Sequence, residues 1–423
     1  MKNAFDLIIT TNSPGELNSW VRPVLEELQK QNSPASVTIV VTPCHFGSGK
    51  EVDVAKSFPG VKQVIAPDAY KKWAMRGIAP AEFGQRGAVL SLGGDLFHAV
   101  VISRKLKYPA YAYTQKHLLW QKAFKKFFLP DEILKQKFLK KRVPQSKMAV
   151  VGDLMLEAVD PTLTRVDALK RWDLRREDPI IALLPGSRSF QLRTATPFFL
   201  RTAELIQDKL PSAQMLVILS PFSNVGEFRS ALKIAAAEGW VIQKGIGTEG
   251  TVEASSAQKY VKTAHGLKAI LVDERQMDAL NIATLALTIP GTNTAELAAL
   301  GVPFISIFPI NNVDDYPLEG LGGILTDLPL LGRWLKRWLI FSLYRPGMLM
   351  ALPNQRLGKM AAPEVNGFIR PAEVADKALT LLEDKEKRLA ISKALKESMG
   401  ERGAAGKIIA GIMAGEKTSL CLK

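Results

Sequence analysis

The sequence contains few of the residues that build disulfide frameworks or metal centres. Its 423 residues include only two cysteines, Cys44 and Cys421, and four histidines. Two cysteines cannot form a disulfide framework, and none of the histidines has the spacing of metal ligands. The composition therefore excludes a disulfide-rich secreted domain and favours reduced, cytoplasmic surroundings.

Long apolar runs and the commonest catalytic signatures are also missing. No apolar run approaches the roughly 20 residues that a membrane-spanning helix needs, and Asp6 before a short apolar run argues against a signal peptide. The run Gly47–Lys50 hints at a phosphate loop, but it lacks the upstream glycine, and Glu51 stands where serine or threonine is required. No Gly-x-Ser-x-Gly elbow is present.

The charge is strongly one-sided, with a formal net charge of +15 at pH 7. Such a charge favours an anionic partner, and nucleic acid is disfavoured because no binding module or regular basic helix is present. Basic residues alternate with aromatic ones in 116–142 and again in 328–341. For the first segment, a buried core and membrane contact both remain open. The second segment favours an anionic membrane surface.

Apolar strand candidates alternate with helical patterns along the chain. This alternation predicts an α/β fold with two Rossmann-like, doubly wound parallel-sheet domains facing a cleft. We expect a first domain over 1–160, a second over 161–370, and helices over 371–423 that pack back across the domains. The Gly/Thr/Ser/Glu-rich stretch 245–258 predicts a loop.

The segment Pro290–Pro303 has the pattern of a strand end followed by a helix N-terminus. Gly291, Thr292 and Thr294 open the helix, where free backbone amides and the positive dipole end suit a phosphate. Glu296, one turn later, is placed to accept hydrogen bonds from a ribose diol. The segment therefore predicts a nucleotide site, and an ordinary helix start with an exposed glutamate is the alternative.

A second strand end lies about a hundred residues earlier, at Pro185–Ser189. Gly186 allows a close backbone approach, Ser187 offers a hydroxyl, and Arg188 offers a planar fork that matches phosphate oxygens. Because parallel strands end at one sheet edge, the two turns are expected to converge on one crevice. A surface arginine in a turn is the alternative for Arg188.

Asp95 is the candidate acid or base. It follows a buried strand and two glycines, so its carboxylate is expected at the carboxyl end of the sheet. The alternative is an N-cap of the next helix, which one side chain can combine with catalysis.

Taken in order, these motifs resemble those of the lipid-A-disaccharide synthase family, which are inverting GT-B glycosyltransferases. Leu-Leu-Pro-Gly-Ser-Arg at 183–188 and the Gly-Thr-x-x-x-Glu…Val-Pro pattern at 291–303 are similar to family motifs. The same holds for Val-Gly-Asp-x-Met-x-Glu-Ala at 151–158 and for Leu-Pro-Asn at 352–354 with Pro-Glu at 363–364. The run 94–97 stands where the family has Pro-Asp-Phe-Asn-Leu.

The resemblance implies a GT-B fold and transfer of an N-acetylglucosamine-type sugar from a UDP-sugar to a lipid-linked or amphiphilic acceptor. It makes Asp95 the general base and places Asn354 near the donor. It also implies peripheral association with the inner face of the cytoplasmic membrane. Because helix N-termini and Arg188 would stabilise a departing diphosphate, we expect no metal or cofactor. A homodimer is a further expectation.

The departures from the family lie mostly in the amino-terminal half, which the resemblance makes the acceptor domain. The first turn, with Ser13, Gly15 and Glu16 as the expected acceptor-side loop, differs from the family's Gly-Glu-x-Ser-Gly-Asp. Asp153 replaces a histidine, and 113–117 lacks the family's aromatic motif. A UDP-sugar epimerase on the same fold and a non-catalytic glycolipid- or nucleotide-binding protein remain as alternatives.

Overall fold

A computed structural model describes residues 5–43, 49–115, 118–238, 240–255, 258–309 and 347–420. Both cysteines and the basic-aromatic segment 328–341 lie outside these residues. The chain forms two compact units, the first made of Met1–Ala158 with Gly400–Lys423 and the second of Val159–Met399.

The first unit is a parallel sheet whose strands alternate with helices. A π-helical turn, Leu17–Val21, joins its first two helices. The elements are β1 (Asp6–Thr11), α1 (Pro14–Glu16), α2 (Arg22–Lys30), β2 (Ser36–Val41), α3 (Glu51–Ser57), β3 (Val61–Ile65), α4 (Pro67–Arg76), β4 (Gly87–Ser91), α5 (Leu96–Leu106), β5 (Ala110–Tyr113), β6 (Phe124–Leu129), α6 (Glu132–Lys140), β7 (Met148–Val150) and α7 (Leu154–Ala158).

The strand order of this sheet is β3-β2-β1-β4-β5-β6-β7, and every described pairing is parallel. Every residue of β1 is buried. Its alternating side chains enter two different cores, with Leu7 and Ile9 in one and Ile8 in the other. A sheet with apolar side chains on both faces needs helices on both faces, which is the doubly wound arrangement that the sequence predicts.

The structure shows where four phenylalanine side chains of the basic-aromatic segment 116–142 lie. Phe124, Phe127 and Phe128, from β6, are at most 1% exposed, and Phe138 on α6 is equally buried. These four rings belong to the core of the first unit, whereas Leu119 and Trp120 of the same segment are exposed, so the core alternative is confirmed for the four rings alone. The sequence pattern misled because β6 carries two lysines, Lys125 and Lys126, between its buried phenylalanines.

The second unit holds a mixed sheet with helices. Its elements are α8 (Arg165–Arg171), β8 (Ile180–Leu184), α9 (Ser189–Lys209), β9 (Gln214–Ile218), α10 (Val225–Glu238), α11 (Trp240–Gln243), β10 (Gly250–Ala254), β11 (Lys259–Thr263), β12 (Lys268–Val272), α12 (Gln276–Asn281), β13 (Leu285–Thr288), α13 (Thr292–Leu300), β14 (Phe304–Pro309), α14 (Leu352–Leu357), β15 (Glu364–Gly367), α15 (Pro371–Glu383) and α16 (Lys385–Met399).

The strand order of this sheet is β10-β11-β12-β9-β8-β13-β14-β15. Strands β10, β11 and β12 pair antiparallel, whereas the other pairings are parallel. The loop predicted over 245–258 is therefore wrong in part, because β10 lies inside it. This edge strand is polar and largely exposed, and Glu253 pairs with Lys262 across the ladder at 2.6 Å, so no apolar alternation signalled a strand.

The carboxyl-terminal helices, expected over 371–423 to pack back across the domains, are divided between the two units. Helix α15 packs on α9, and α16 packs on α13 and α14, all in the second unit. The last helix, α17 (Ala404–Leu420), packs on α2 and α7 of the first unit. Its buried side chains Ile408, Ile409 and Ile412 complete one of the two cores there, which is why the first unit needs this distant segment.

Candidate active site

The order of strands in the first unit reverses between β1 and β4. The chain passes from β1 outward through β2 and β3, then returns to the other side of β1 with β4. The pairing of Thr10 with Ser91 puts the ends of both strands side by side. Helical connections leave in opposite directions here, and such a point opens a crevice at the carboxyl edge of a parallel sheet. The predicted acceptor-side loop and Asp95 follow these two strands.

Glu16 connects the two turns at this edge. Ser13 is the N-cap of α1, and its hydroxyl accepts a hydrogen bond from the Glu16 amide at 3.4 Å. The Glu16 carboxylate accepts from the Asn12 amide at 3.4 Å and from the Gly94 amide at 3.2 Å. Burial raises the pKa of Glu16, and these hydrogen bonds partly oppose the shift. Gly15 is the middle residue of α1.

The Gly-Gly pair before Asp95 is required by backbone geometry and by close approach. Gly93 has φ of 114° and Gly94 has φ of 69°, both in the region that favours glycine. A Cβ on Gly93 would lie 2.1 Å from the carboxylate carbon of Glu16. The two turns thus approach so closely that an added Cβ at residue 93 would require the Glu16 carboxylate to move, and Asp95 follows this turn directly.

Asp95 occupies the N-cap of α5. One carboxylate oxygen, Oδ1, accepts a hydrogen bond from the Phe97 amide at 2.8 Å. The residue is exposed, and Oδ2 has no hydrogen-bond donor among the described residues. The capping role is therefore confirmed, and one oxygen remains available for chemistry. Its role as a base stays a prediction.

The second unit repeats this arrangement between β8 and β13. Thr288 pairs with Leu184, so the turns after both strands leave the sheet side by side. A Cβ on Gly186, whose φ is 104°, would lie 2.7 Å from the side chain of Ile289. The structure thereby confirms that the two predicted nucleotide turns converge at one sheet edge.

The turn after β8 uses a residue that the sequence analysis missed. Gln191 Oε1 accepts hydrogen bonds from the amides of Ser187 and Arg188, both at 3.1 Å. The carbonyl of Ser187 accepts from the hydroxyl of Ser223 at 3.2 Å. These backbone groups are therefore occupied by hydrogen bonds within the chain, and both Ser187 and Arg188 are exposed residues. A glutamine at the third position of a helix is a capping signal, which could have revealed Gln191.

The turn after β13 opens α13 toward the same edge. Gly291 has φ of 146°, and both it and Thr292 are exposed. Glu296, one turn later, is half-buried. Thr294 is fully buried, and its hydroxyl donates to the Gly291 carbonyl at 2.7 Å and accepts from the Leu352 amide at 3.1 Å. The prediction that Thr294 binds the UDP-sugar by direct contact does not agree with this burial.

Asn354 is fully buried and makes four hydrogen bonds within the chain. Its amide nitrogen donates to the Ala362 carbonyl at 2.8 Å and to Glu364 Oε1 at 2.7 Å. Its oxygen accepts from the amides of Ala361 at 2.8 Å and Ala362 at 3.0 Å. The amide is thus fully satisfied. The prediction that Asn354 contacts the UDP-sugar is therefore corrected. Its side chain instead holds the segment beside α13 through these hydrogen bonds.

Neither a metal cluster nor a spanning helix is found in the described part of the chain. There, no three or more His, Cys, Asp or Glu side chains are grouped to hold a metal ion. No described helix is both long and apolar enough to cross a membrane. The expectation of metal-free chemistry stays a prediction.

Comparison with known proteins identifies relatives at low identity. No protein-family model matches the chain. A lipid-A-disaccharide synthase from Syntrophus aciditrophicus (strain SB) is 25% identical over 262 residues, which cover 61% of this chain and 55% of that protein. Another, from Gloeothece citriformis (strain PCC 7424), is 28% identical over 158 residues, covering 37% of this chain and 33% of that protein.

The chain is a divergent relative of the lipid-A-disaccharide synthases. It spans about half the length of the first of these synthases and a third of the second.

Similar solved structures show the fold of this chain. A UDP-N-acetylglucosamine 2-epimerase has a TM-score of 0.58 at 12% identity, covering 99% of this chain and 97% of that one. UDP-GlcNAc 2-epimerase from Neisseria meningitidis, bound to UDP-GlcNAc, has a TM-score of 0.56 at 12% identity, with coverages of 96% and 100%. MurG from Acinetobacter baumannii has a TM-score of 0.51 at 12% identity, with coverages of 97% and 100%. The fold is therefore of the GT-B type.

Replacing Gly93 by alanine tests the close approach that positions Asp95 in this synthase relative. We expect Gly93→Ala to lower the free energy of unfolding by about 1–3 kcal/mol more than Gly77→Ala does. Both positions have positive φ, but an added Cβ at Gly77 meets no described atom within 4 Å. Denaturant unfolding of both variants measures the difference.

A double-mutant cycle with Glu16→Ala isolates the contact itself. Gly93→Ala should cost less in the Glu16→Ala background, with a coupling of roughly 0.5 kcal/mol or more. Strictly additive costs would show that the carboxylate does not limit residue 93.

Proposed function

We propose that the protein is an inverting glycosyltransferase that moves a sugar from a UDP-sugar to a lipid-linked or amphiphilic acceptor. The relationship to lipid-A-disaccharide synthases supports this reaction class. The observation that carries the proposal is the convergence of the turns after β8 and β13, which brings Arg188 and the start of α13 to one sheet edge. Proteins of this fold bound to UDP or to UDP-GlcNAc support a UDP-sugar as the donor.

The diphosphate is assigned to the start of α13. The first amides of a helix have no intrahelical acceptor, and the dipole there favours an anion by about 0.3–1 kcal/mol, or up to ~2 kcal/mol when partly buried. The amides of Ser187 and Arg188 are already bound by Gln191, so the turn after β8 contributes mainly the guanidinium of Arg188. Glu296, one turn into α13, would then accept hydrogen bonds from the ribose.

Asp95 is assigned as the general base. As the acceptor oxygen forms its bond to the anomeric carbon, the bond from that carbon to the diphosphate oxygen breaks, and the hydroxyl proton passes to Asp95 Oδ2. Charge that develops on the departing UDP is stabilised by Arg188 and by the helix start. Fixed cations and dipoles supply this stabilisation, so the proposed reaction requires no metal.

The proposal also specifies the transferred sugar and the acceptor. An N-acetylglucosamine-type sugar and an amphiphilic acceptor follow from the family relationship. The net charge of +15 suits an anionic membrane surface, with the protein bound peripherally at the inner face of the cytoplasmic membrane. A homodimer is included in the proposal.

Asp95→Asn tests the general base. We expect kcat to fall by about 10²–10⁴-fold, because asparagine caps a helix as well as aspartate but cannot take the proton. The measurement is UDP release from UDP-sugars in the presence of amphiphilic sugar acceptors. Asp131→Asn is the matched control, because Asp131 caps α6 of the same unit with a bond of 2.7 Å to the Leu134 amide. Full turnover by Asp95→Asn would remove Asp95 from the chemistry.

The same assay separates the two alternatives from the proposal. A UDP-sugar epimerase would convert the donor without an acceptor and without net release of UDP. A non-catalytic protein would bind UDP but release none. Acceptor-dependent release of UDP is the outcome that the proposal requires.

Arg188→Ala tests the diphosphate site. We expect the Kd for UDP to rise about tenfold or more, because the variant loses a charge-assisted hydrogen bond to phosphate. Arg176→Ala is the matched control, because Arg176 is also exposed but precedes β8 and so lies at the opposite end of that strand. Isothermal titration calorimetry with UDP measures both. Equal affinities in the two variants would contradict the role of Arg188.

A further inference from the structure

A histidine and a tyrosine form a buried hydrogen-bonded pair close to Asp95. Tyr70 on α4 is 3% exposed, and its hydroxyl oxygen lies 2.7 Å from Nδ1 of His98. The two rings meet edge to face, with centroids 5.2 Å apart. His98 is on α5, three residues after Asp95, and is only partly buried. All three residues belong to the first unit, at the sheet edge described above.

The burial of Tyr70 fixes the direction of this hydrogen bond. A buried phenol needs an acceptor for its proton, and His98 Nδ1 is the hydrogen-bond partner of the Tyr70 hydroxyl among the described residues. Burial, with a smaller effect of the Asp95 charge, raises the pKa of Tyr70 to about 12, so the phenol keeps its proton at neutral pH. Tyr70 therefore donates and Nδ1 accepts, which leaves the ring proton of a neutral His98 on Nε2.

Burial favours the neutral form of His98. Burial lowers its pKa below the ordinary value of 6.5, and the negative charge of Asp95 only partly opposes this shift. Tyr70 from α4 and Asp95 at the start of α5 are the titratable groups that act on His98 among the described residues. A neutral imidazole beside Asp95 does not form an ion pair with it, so the carboxylate keeps its capacity to accept a proton.

We propose that His98 is an acceptor-binding residue, whose Nε2–H, fixed by Tyr70, donates a hydrogen bond to an oxygen of the acceptor and holds the attacking hydroxyl against Asp95. This inference rests on the proposed glycosyl transfer. The acceptor proton passes to Asp95, and His98 keeps its own proton throughout. Protonation of Nδ1 would remove the acceptor of the Tyr70 hydrogen bond and place a cation beside the base. Turnover should therefore be lost as the pH falls through the pKa of His98.

Two substitutions of His98 test the hydrogen bond to the acceptor. His98→Gln keeps a side-chain N–H of similar reach but does not titrate, whereas His98→Leu keeps only bulk. We expect KM for the acceptor to rise about tenfold in His98→Leu and much less in His98→Gln, with KM for the donor unchanged in both. The acid limb that belongs to His98 should disappear in His98→Gln. Equal acceptor KM values for wild type and His98→Leu, in a wild-type protein that turns over, would overturn the inference.

The tautomer is measured without any turnover, which separates this inference from the proposed function. The chain has four histidines, so subtracting the His98→Gln spectrum assigns the ring of His98 in a nitrogen-15 NMR titration. We expect the Nε2–H tautomer in the wild type and a higher pKa of His98 in Tyr70→Phe, because that variant loses the donor that favours neutral Nδ1. An Nδ1–H tautomer, or an unchanged titration in Tyr70→Phe, would overturn the inference even if the protein proves inactive.

Discussion

Both units are organised around a reversal of strand order among the parallel strands of their sheets. At that point the helical connections leave in opposite directions, so the strand ends stay uncovered. In the first unit, β1 and β4 flank the reversal, and in the second unit β8 and β13 do. Asp95, Arg188 and Glu296, which the proposed reaction requires, all follow strands that flank a reversal.

Each reversal point is held by a polar side chain that binds backbone amides. Glu16 joins the two turns of the first unit through the amides of Asn12 and Gly94. In the second unit, Gln191 holds the amides of Ser187 and Arg188, and Thr294 and Asn354 hold the segment beside α13. These residues are supports, because they bind backbone groups of the turns and so fix the positions of the turns.

The sequence predicted features that local patterns encode. Short apolar strands followed by glycine-containing turns placed Asp95, Arg188 and Gly291 at strand ends, and the N-cap alternative for Asp95 was also correct. It did not predict the Glu16–Gly94 bond, which joins residues 78 positions apart, because no local pattern records such a contact. The burial of Thr294 and Asn354 was also missed, since it depends in part on Leu352, 58 residues from Thr294, and on Glu364, 10 residues from Asn354. Strand β6 was obscured by its lysines and β10 by its polar composition.

In the proposed reaction, the turns after β8 and β13 form one site for UDP. The most direct measurement is a crystal structure of the protein with UDP. We expect the diphosphate to lie within hydrogen-bond distance of the first amides of α13 and of the Arg188 guanidinium. We expect the ribose to be hydrogen-bonded to Glu296. UDP bound away from these turns, or contacting one of them without the other, would contradict this proposal.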